Sequence, residues 1–284
     1  MADDPLTDFT RESFTHQNIT HPILRSGAGP AVIVMTEVPG ITPKVAAFAR
    51  RVRDLGLTVV LPDMFGTAGR DPNPEGHGLL GAVTYGGGAM IRLCINREFS
   101  LLAGPRDSPI TTWLRALGAA EHQRCGGPGI GAVGMCLTGG FALAMAVDDR
   151  LIAPVLSQPA TPVPVTRSRR AGIGIDSADL ARIRQRCAQG LIILGLRFRG
   201  DRLVPGERFE FLREQFGAAF VAVELDPADA APNAPTPPHS VLTEHLVDGP
   251  GQPTRQALDL VLDHLRDRLL GTGDGTGRPS PDEP

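Results

Sequence analysis

The sequence predicts one α/β domain built on a mostly parallel sheet with helices on both faces. Apolar runs of strand length alternate along it with longer segments of helical period, the pattern left by strands buried on both sides and joined by crossover helices. Its 284 residues are enough for one sizeable core. Near the middle, Gly134 to Gly140 forms a small-residue turn between an apolar strand and a helix-compatible run.

In chain order, Ala31 to Met35 (AVIVM) is a buried strand, Lys44 to Leu55 a helix, and Leu57 to Leu61 the next strand, ending at Pro62. Gly66 to Pro109 interrupts the alternation. It is rich in glycine, including Gly86-Gly87-Gly88, yet Met90 to Leu102 is apolar enough to pack, so an insertion or cap-like segment is expected over 66–109. Ile110 to Arg124 reads as a helix presenting Trp113, Leu114 and Leu117, and after the break GGPG comes a strand, Ile130 to Met135. Leu151 to Leu156, Leu191 to Leu196 and Ala219 to Val223 are further strands, with helices at Ser177 to Ala188 and Glu207 to Phe216. An amphipathic helix, Thr254 to Leu270, completes a domain spanning 1–270. Gly271 to Pro284 lacks hydrophobic residues and is expected as a disordered tail.

Hydrophobic residues at 42% and charged residues at 21% are ordinary for a globular protein. A net charge of -3 gives no general attraction to phosphates or anionic lipid, so neither nucleic acid nor a membrane is an expected partner and a small molecule is. Cys94, Cys125, Cys136 and Cys187 are scattered, without CxxC spacing, and read as free thiols. The acidic start MADDPLTDFTRESF is unlike a secretory signal, and no run of about 18 apolar residues occurs. The expectation is a cytoplasmic protein, monomer or small homo-oligomer. No cluster of side chains implies a metal or an organic cofactor.

Gly134-Met135-Cys136-Leu137-Thr138-Gly139-Gly140 has the layout of a G-x-S-x-G nucleophile elbow with Cys136 in place of serine. A nucleophile on a sharp strand-to-helix turn brings strand and helix close together, so small residues must flank it, and Gly134, Gly139 and Gly140 meet that need. Thr138 is larger than the glycine expected there, so a roomier or shifted elbow is anticipated. The amide of Leu137, opening the helix, would point at a developing oxyanion. Alone, Cys136 fits a buried core cysteine as well as it fits a nucleophile. No G-x-S-x-G occurs elsewhere to offer a serine instead.

On this elbow the acid and the base follow the nucleophile along the chain, each on a loop after a later strand, which is the α/β-hydrolase order. Asp201 lies in GDRLVP, where a strand gives way to a helix, although a helix-capping aspartate would look the same. His239 follows the Pro-rich loop APNAPTPPHS. His16, His21, His77, His122, His245 and His264 precede the nucleophile or fall on helical or peripheral segments, so His239 is the base by position.

GMCLTGG, GDRLVP and PHS, in that order and spacing, resemble the dienelactone hydrolase family, as do VIVMTEVPG and LPDMFG nearer the N-terminus. The stretch Cys94 to Leu117 looks like actinobacterial members. The resemblance implies a hydrolase of esters or lactones working through a Cys136–His239–Asp201 triad and a thioester. It also implies that Glu37 holds the resting thiol of Cys136 by a hydrogen bond, and that the amide of Val38, left intact because proline comes one place later at Pro39, completes an oxyanion hole with Leu137. Where family members opening dienelactones carry carboxylate-binding arginines, this chain has Thr67 and Thr243. Neither can make a bidentate charged contact, which argues against dienelactone itself. Arg70, Arg97 and Arg199 are the candidate replacement cations. The rival reading is a non-catalytic α/β-hydrolase-like protein that binds a small molecule. A glutamine-amidotransferase-like site would place His where Leu137 stands.

Overall fold

The chain, described by a computed structural model over residues 2–72, 108–161 and 170–271, begins with a hairpin. Strands β1 (Thr10–His16) and β2 (Ile19–Ser26) pair antiparallel across Gln17 and Asn18, both at positive φ (46° and 66°), the turn geometry that suits the twist of paired strands. β3 (Ala31–Met35) follows, then helix α1 (Pro43–Arg53), capped by Thr42 Oγ1 accepting from the Val45 amide, and β4 (Thr58–Pro62). Beyond the undescribed stretch come α2 (Pro109–Cys125), started by Ser108 and Pro109, β5 (Ile130–Met135), the short α3 (Gly139–Met145) and β6 (Leu151–Ser157). Helix α4 (Ser177–Ala188), β7 (Ile193–Phe198), α5 (Gly206–Phe216), β8 (Phe220–Leu225) and α6 (Pro253–Leu270) complete the order.

The eight strands among the described residues join one sheet in the order β1-β2-β4-β3-β5-β6-β7-β8. β2 runs antiparallel to β4, and every pairing from β4 to β8 is parallel. In β3 the side chains of Ile33 and Ala31 enter a core with Trp113, Leu117 and Phe141, while Val32 and Val34 enter another with Phe48, Val45, Leu258 and Val261. Two helical layers thus sandwich the strand, and this is why β3, β4, β5 and β7 are buried along their whole length. The apolar stripe of α6, Ala257, Leu258, Val261, Leu265 and Leu269, keeps helical spacing and supplies much of one layer.

Six strands and five helices match their sequence expectations within two or three residues at each end. The hairpin has no counterpart in those expectations: β1 is polar (TRESFTH) and at most half-buried, so it lacks the apolar run that marks the inner strands. Of the expected 66–109 insertion, residues 73–107 lie outside the described residues, and of the expected tail so do 272–284. No described helix is long and apolar enough to cross a membrane.

Candidate active site

The six candidate site residues lie on segments that follow the carboxyl ends of parallel strands. Glu37 and Val38 follow β3, Cys136 and Leu137 follow β5 directly, Asp201 follows β7, and His239 lies on the loop after β8. β3 has β4 on one side and β5 on the other, with Met35 opposite Gly134. The strand order reverses here, and a crevice opens at such a switch point in open α/β sheets.

Cys136 has φ +57°, a left-handed conformation that an L-residue adopts at a cost of about 1–2 kcal/mol. The chain turns at this residue from β5 into a short 3-10 helix, Cys136–Thr138, and then into α3. Gly134 has to be glycine, because a Cβ there would lie 2.2 Å from Thr138 O and 2.8 Å from Gly139 Cα. A Cβ on Gly139 would meet Pro159 at 2.6 Å. Thr138 fits without extra room. Its fully buried hydroxyl accepts the Met135 amide at 2.8 Å and stands 3.0 Å from Met35 O and 2.8 Å from Met135 O, so it pins the ends of β3 and β5 together. The expected roomier elbow is therefore replaced by a hydrogen-bonded one. The Cys136 carbonyl accepts the amide of Ala160 at 2.9 Å, tying the turn to the loop after β6. The Leu137 amide falls in the first turn, where a helix offers no internal acceptor.

His239 Nδ1 stands 2.6 Å from Asp201 Oδ2, and Asp201 Oδ1 accepts the Leu203 amide at 2.9 Å. Both carboxylate oxygens are thus held, and Asp201 is 4% exposed. With Nδ1 committed to the carboxylate, Nε2 is the nitrogen left for the thiol, and it is buried with no fully formed hydrogen bond. Burial alone would lower the pKa of this ring. The charge of Cys136, hydrogen bonding to Asp201 and the charge of Asp201 outweigh burial, and the proton is held well above the ordinary histidine range.

Glu37 departs from the expectation. Its Oε2 accepts from Ser240 Oγ at 2.5 Å and Gln158 Nε2 at 3.1 Å, and its Oε1 accepts from Thr243 Oγ1. The group is buried and its oxygens are taken by these donors, so it is not bonded to the thiol of Cys136. A buried carboxylate takes the nearest hydroxyl and amide donors, which relieve its desolvation far better than a thiol can. Val38 follows it at the start of a turn closed by Gly40 N on Glu37 O at 2.8 Å, and the Val38–Pro39 peptide is cis.

Of the candidate cations, Arg199 is exposed with Asp226 at 3.9 Å, Arg70 is exposed on the loop after β4, and Arg97 lies outside the described residues. Thr67 is exposed, whereas Thr243 is buried against Glu37. The buried cation beside Asp201 is instead Arg208, which sequence spacing does not single out. It donates to Pro159 O and Leu203 O, each at 2.8 Å, and burial lowers its pKa to about 10 against the attraction of Asp201. Gln158 and Ser240 were also missed, having no motif of their own, while Thr243 was weighed only in place of an arginine and His245 only as an alternative base. Among the described residues no group of three or more His, Cys, Asp or Glu could hold a metal ion.

This strand order, with a strained residue at the end of β5 and an imidazole–carboxylate pair beyond β7 and β8, defines an α/β hydrolase. No curated protein matches the chain in sequence. Residues 22–169, more than half of it, match the model of the dienelactone hydrolase family, and the chain belongs to that family. It is thereby an ester or lactone hydrolase.

Solved structures share the fold at low identity. P91 from metagenomic libraries, a dienelactone hydrolase-like promiscuous phosphotriesterase, is 16% identical with a TM-score of 0.57, over 92% of this chain and 98% of its own. The dienelactone hydrolase of Anabaena variabilis ATCC 29413 is 13% identical with a TM-score of 0.54, over 92% and 99%. The 2,6-dihydroxy-pseudo-oxynicotine hydrolase is 16% identical with a TM-score of 0.53, over 90% and 68%.

Proposed function

We propose that this hydrolase cleaves an ester or lactone through Cys136, His239 and Asp201. His239 Nε2 takes the thiol proton, and the sulfur of Cys136 attacks the carbonyl carbon. The amides of Val38 and Leu137 receive the oxyanion, and collapse of the tetrahedral intermediate expels the alcohol, protonated by His239, to leave a thioester. Water, deprotonated by His239, then adds to the thioester, and the acid and free thiol are released. Asp201 holds the Nδ1 proton and stabilises the imidazolium. A reducing cytoplasm would keep the nucleophile a thiol. With threonine at positions 67 and 243, and Thr243 already engaged by Glu37, the inferred substrate is neutral rather than carboxylate-bearing.

The observation that carries this reading is the part-buried imidazole of His239 held by Asp201 at 2.6 Å on Nδ1, beyond the same end of the sheet as the strained turn at Cys136. Turnover of p-nitrophenyl acetate should fall by about 100-fold or more in Cys136→Ala. Equal rates would remove Cys136 from the mechanism. In Cys136→Ser, mass spectrometry should find the acyl group retained on residue 136.

A further inference from the structure

Two histidines share the loop after β8, and only His239 is coupled to the thiol. The preceding stretch contains Pro232, Pro235, Pro237 and Pro238, which have no amide to donate, so this part of the loop has few hydrogen bonds with which to secure itself. The first amides after those prolines are those of His239 and Ser240, and both are taken by the side chain of His245. Its Nδ1 accepts Ser240 N at 3.1 Å and His239 N at 3.4 Å, while Nε2 donates to Pro235 O at 2.6 Å. The backbone of His245 closes the same loop, its amide donating to Ser240 O at 3.0 Å and its carbonyl accepting from Ala231 N at 3.1 Å.

An Nδ1 that accepts two amide protons carries none of its own, so the ring is the neutral Nε2–H tautomer. It is 4% exposed, and Phe198, the last residue of β7, packs edge-on against it with centroids 5.9 Å apart. β7 also leads to Asp201, so the ring of His245 is seated on the strand that delivers the acid while it grips the backbone of the base.

We infer that His245 is a positioning residue, whose ring fixes the backbone of His239 so that the imidazole meets Asp201 and Cys136 together. It touches no reacting atom. The inference rests on the reading of His239 as base, and its test separates the two. His245→Asn keeps a carbonyl acceptor where Nδ1 stands, and His245→Gln keeps a donor toward Pro235 but no acceptor at that place. The Nδ1 proton of His239, in its 2.6 Å bond to Asp201, is read as a downfield proton resonance in the full chain. Alkylation of Cys136 by iodoacetamide reads the consequence.

In His245→Asn the resonance should persist and alkylation stay within about threefold of wild type. In His245→Gln the resonance should be lost and alkylation slow by about tenfold or more, since small misplacements of a reacting group carry penalties of this order. Identical behaviour of the two variants overturns the inference. So does a drop in melting temperature in His245→Gln with resonance and alkylation intact, or failure of both variants to fold, because His245 would then serve the core alone. Wild-type alkylation in His239→Ala would instead overturn His239 as the base, and the resonance would still decide the role of His245.

Discussion

Ser240 Oγ donates to Glu37 Oε2 at 2.5 Å, so the residue next to His239 is tied to the loop that carries Val38. Gln158 and Thr243 donate to the same carboxylate, which thereby joins the loop after β3, the end of β6 and the loop after β8. Glu37→Ala removes the acceptor for three buried donors. A hydrogen bond to a charged group contributes about 1.5–3 kcal/mol, so the variant should lose about 2–4 kcal/mol of stability, together with ester turnover, as the loop beside His239 loosens. Ser240→Ala should lose less. In a double-mutant cycle the two changes should be non-additive by about 1 kcal/mol or more. Additive losses in denaturant unfolding would show that the bond couples nothing.

The elbow gives a second expectation. Thr138→Val keeps the shape of the side chain and removes the hydroxyl that joins Met35 O to both polar groups of Met135. Leaving those buried groups unpaired should lower stability by about 1–3 kcal/mol and reduce turnover, because the turn under Cys136 is no longer pinned to β3. Gly134→Ala should be worse, since its Cβ would lie 2.2 Å from a backbone oxygen in the centre of the sheet, with little chance to relax. Thermal unfolding of both variants checks this order; a Gly134→Ala protein as stable as wild type would contradict it.

Much of this arrangement was open to sequence reasoning, and the part that was not has a common cause. Strands buried on both faces show as unbroken apolar runs, so β3 to β7 were readable, as was the glycine pattern around Cys136. The positions of Asp201 and His239 followed from chain order. Thr138 was read by size as a misfit, because spacing does not reveal that a hydroxyl will find three partners. Glu37 was given the wrong partner for a similar reason: Ser240 is 203 residues away, and nothing local to either residue marks the pairing. His245 was set aside as peripheral, although both of its ring nitrogens have partners in the loop that carries His239. The β1–β2 hairpin went unseen because its outer strand packs too few apolar side chains to leave a pattern.

Removing the thiol should change the titration of His239. Burial depresses the pKa of the ring, and the charge and nearness of Cys136 help to lift it above the ordinary value. In Cys136→Ala those contributions vanish while burial and Asp201 remain, so the pKa should fall. A raised histidine pKa stabilises the fold fully below the unfolded value of 6.5 and loses that effect as pH rises through the folded value. The alkaline loss of stability should therefore begin near the same unfolded value but be complete at lower pH, and be smaller, in the variant. Long-range nitrogen–proton correlation spectra of His239 against pH would follow the midpoint, and an unchanged midpoint would separate the imidazole from the thiol.

His264 should make the protein sensitive to acid. It lies on α6, one turn before Arg268, with Nε2 buried and without a hydrogen-bond partner. Burial, with a smaller contribution from Arg268, lowers its pKa from 6.5 to about 4. The folded state therefore keeps the ring neutral where the unfolded chain would already have taken up a proton, and between these two values the unfolded state binds more protons. Stability from this residue is thus complete above pH 6.5 and is lost as pH falls through about 4. Integrated over that interval, the loss is about 2–3 kcal/mol. His264→Leu removes the titrating group while keeping an apolar side chain in the layer formed by α6. Its unfolding free energy, followed in denaturant at several pH values, should vary less than that of wild type between pH 6.5 and 4, with the two curves converging in shape above that range. If both proteins lose stability in parallel across the interval, His264 is not the group that takes up the proton on unfolding.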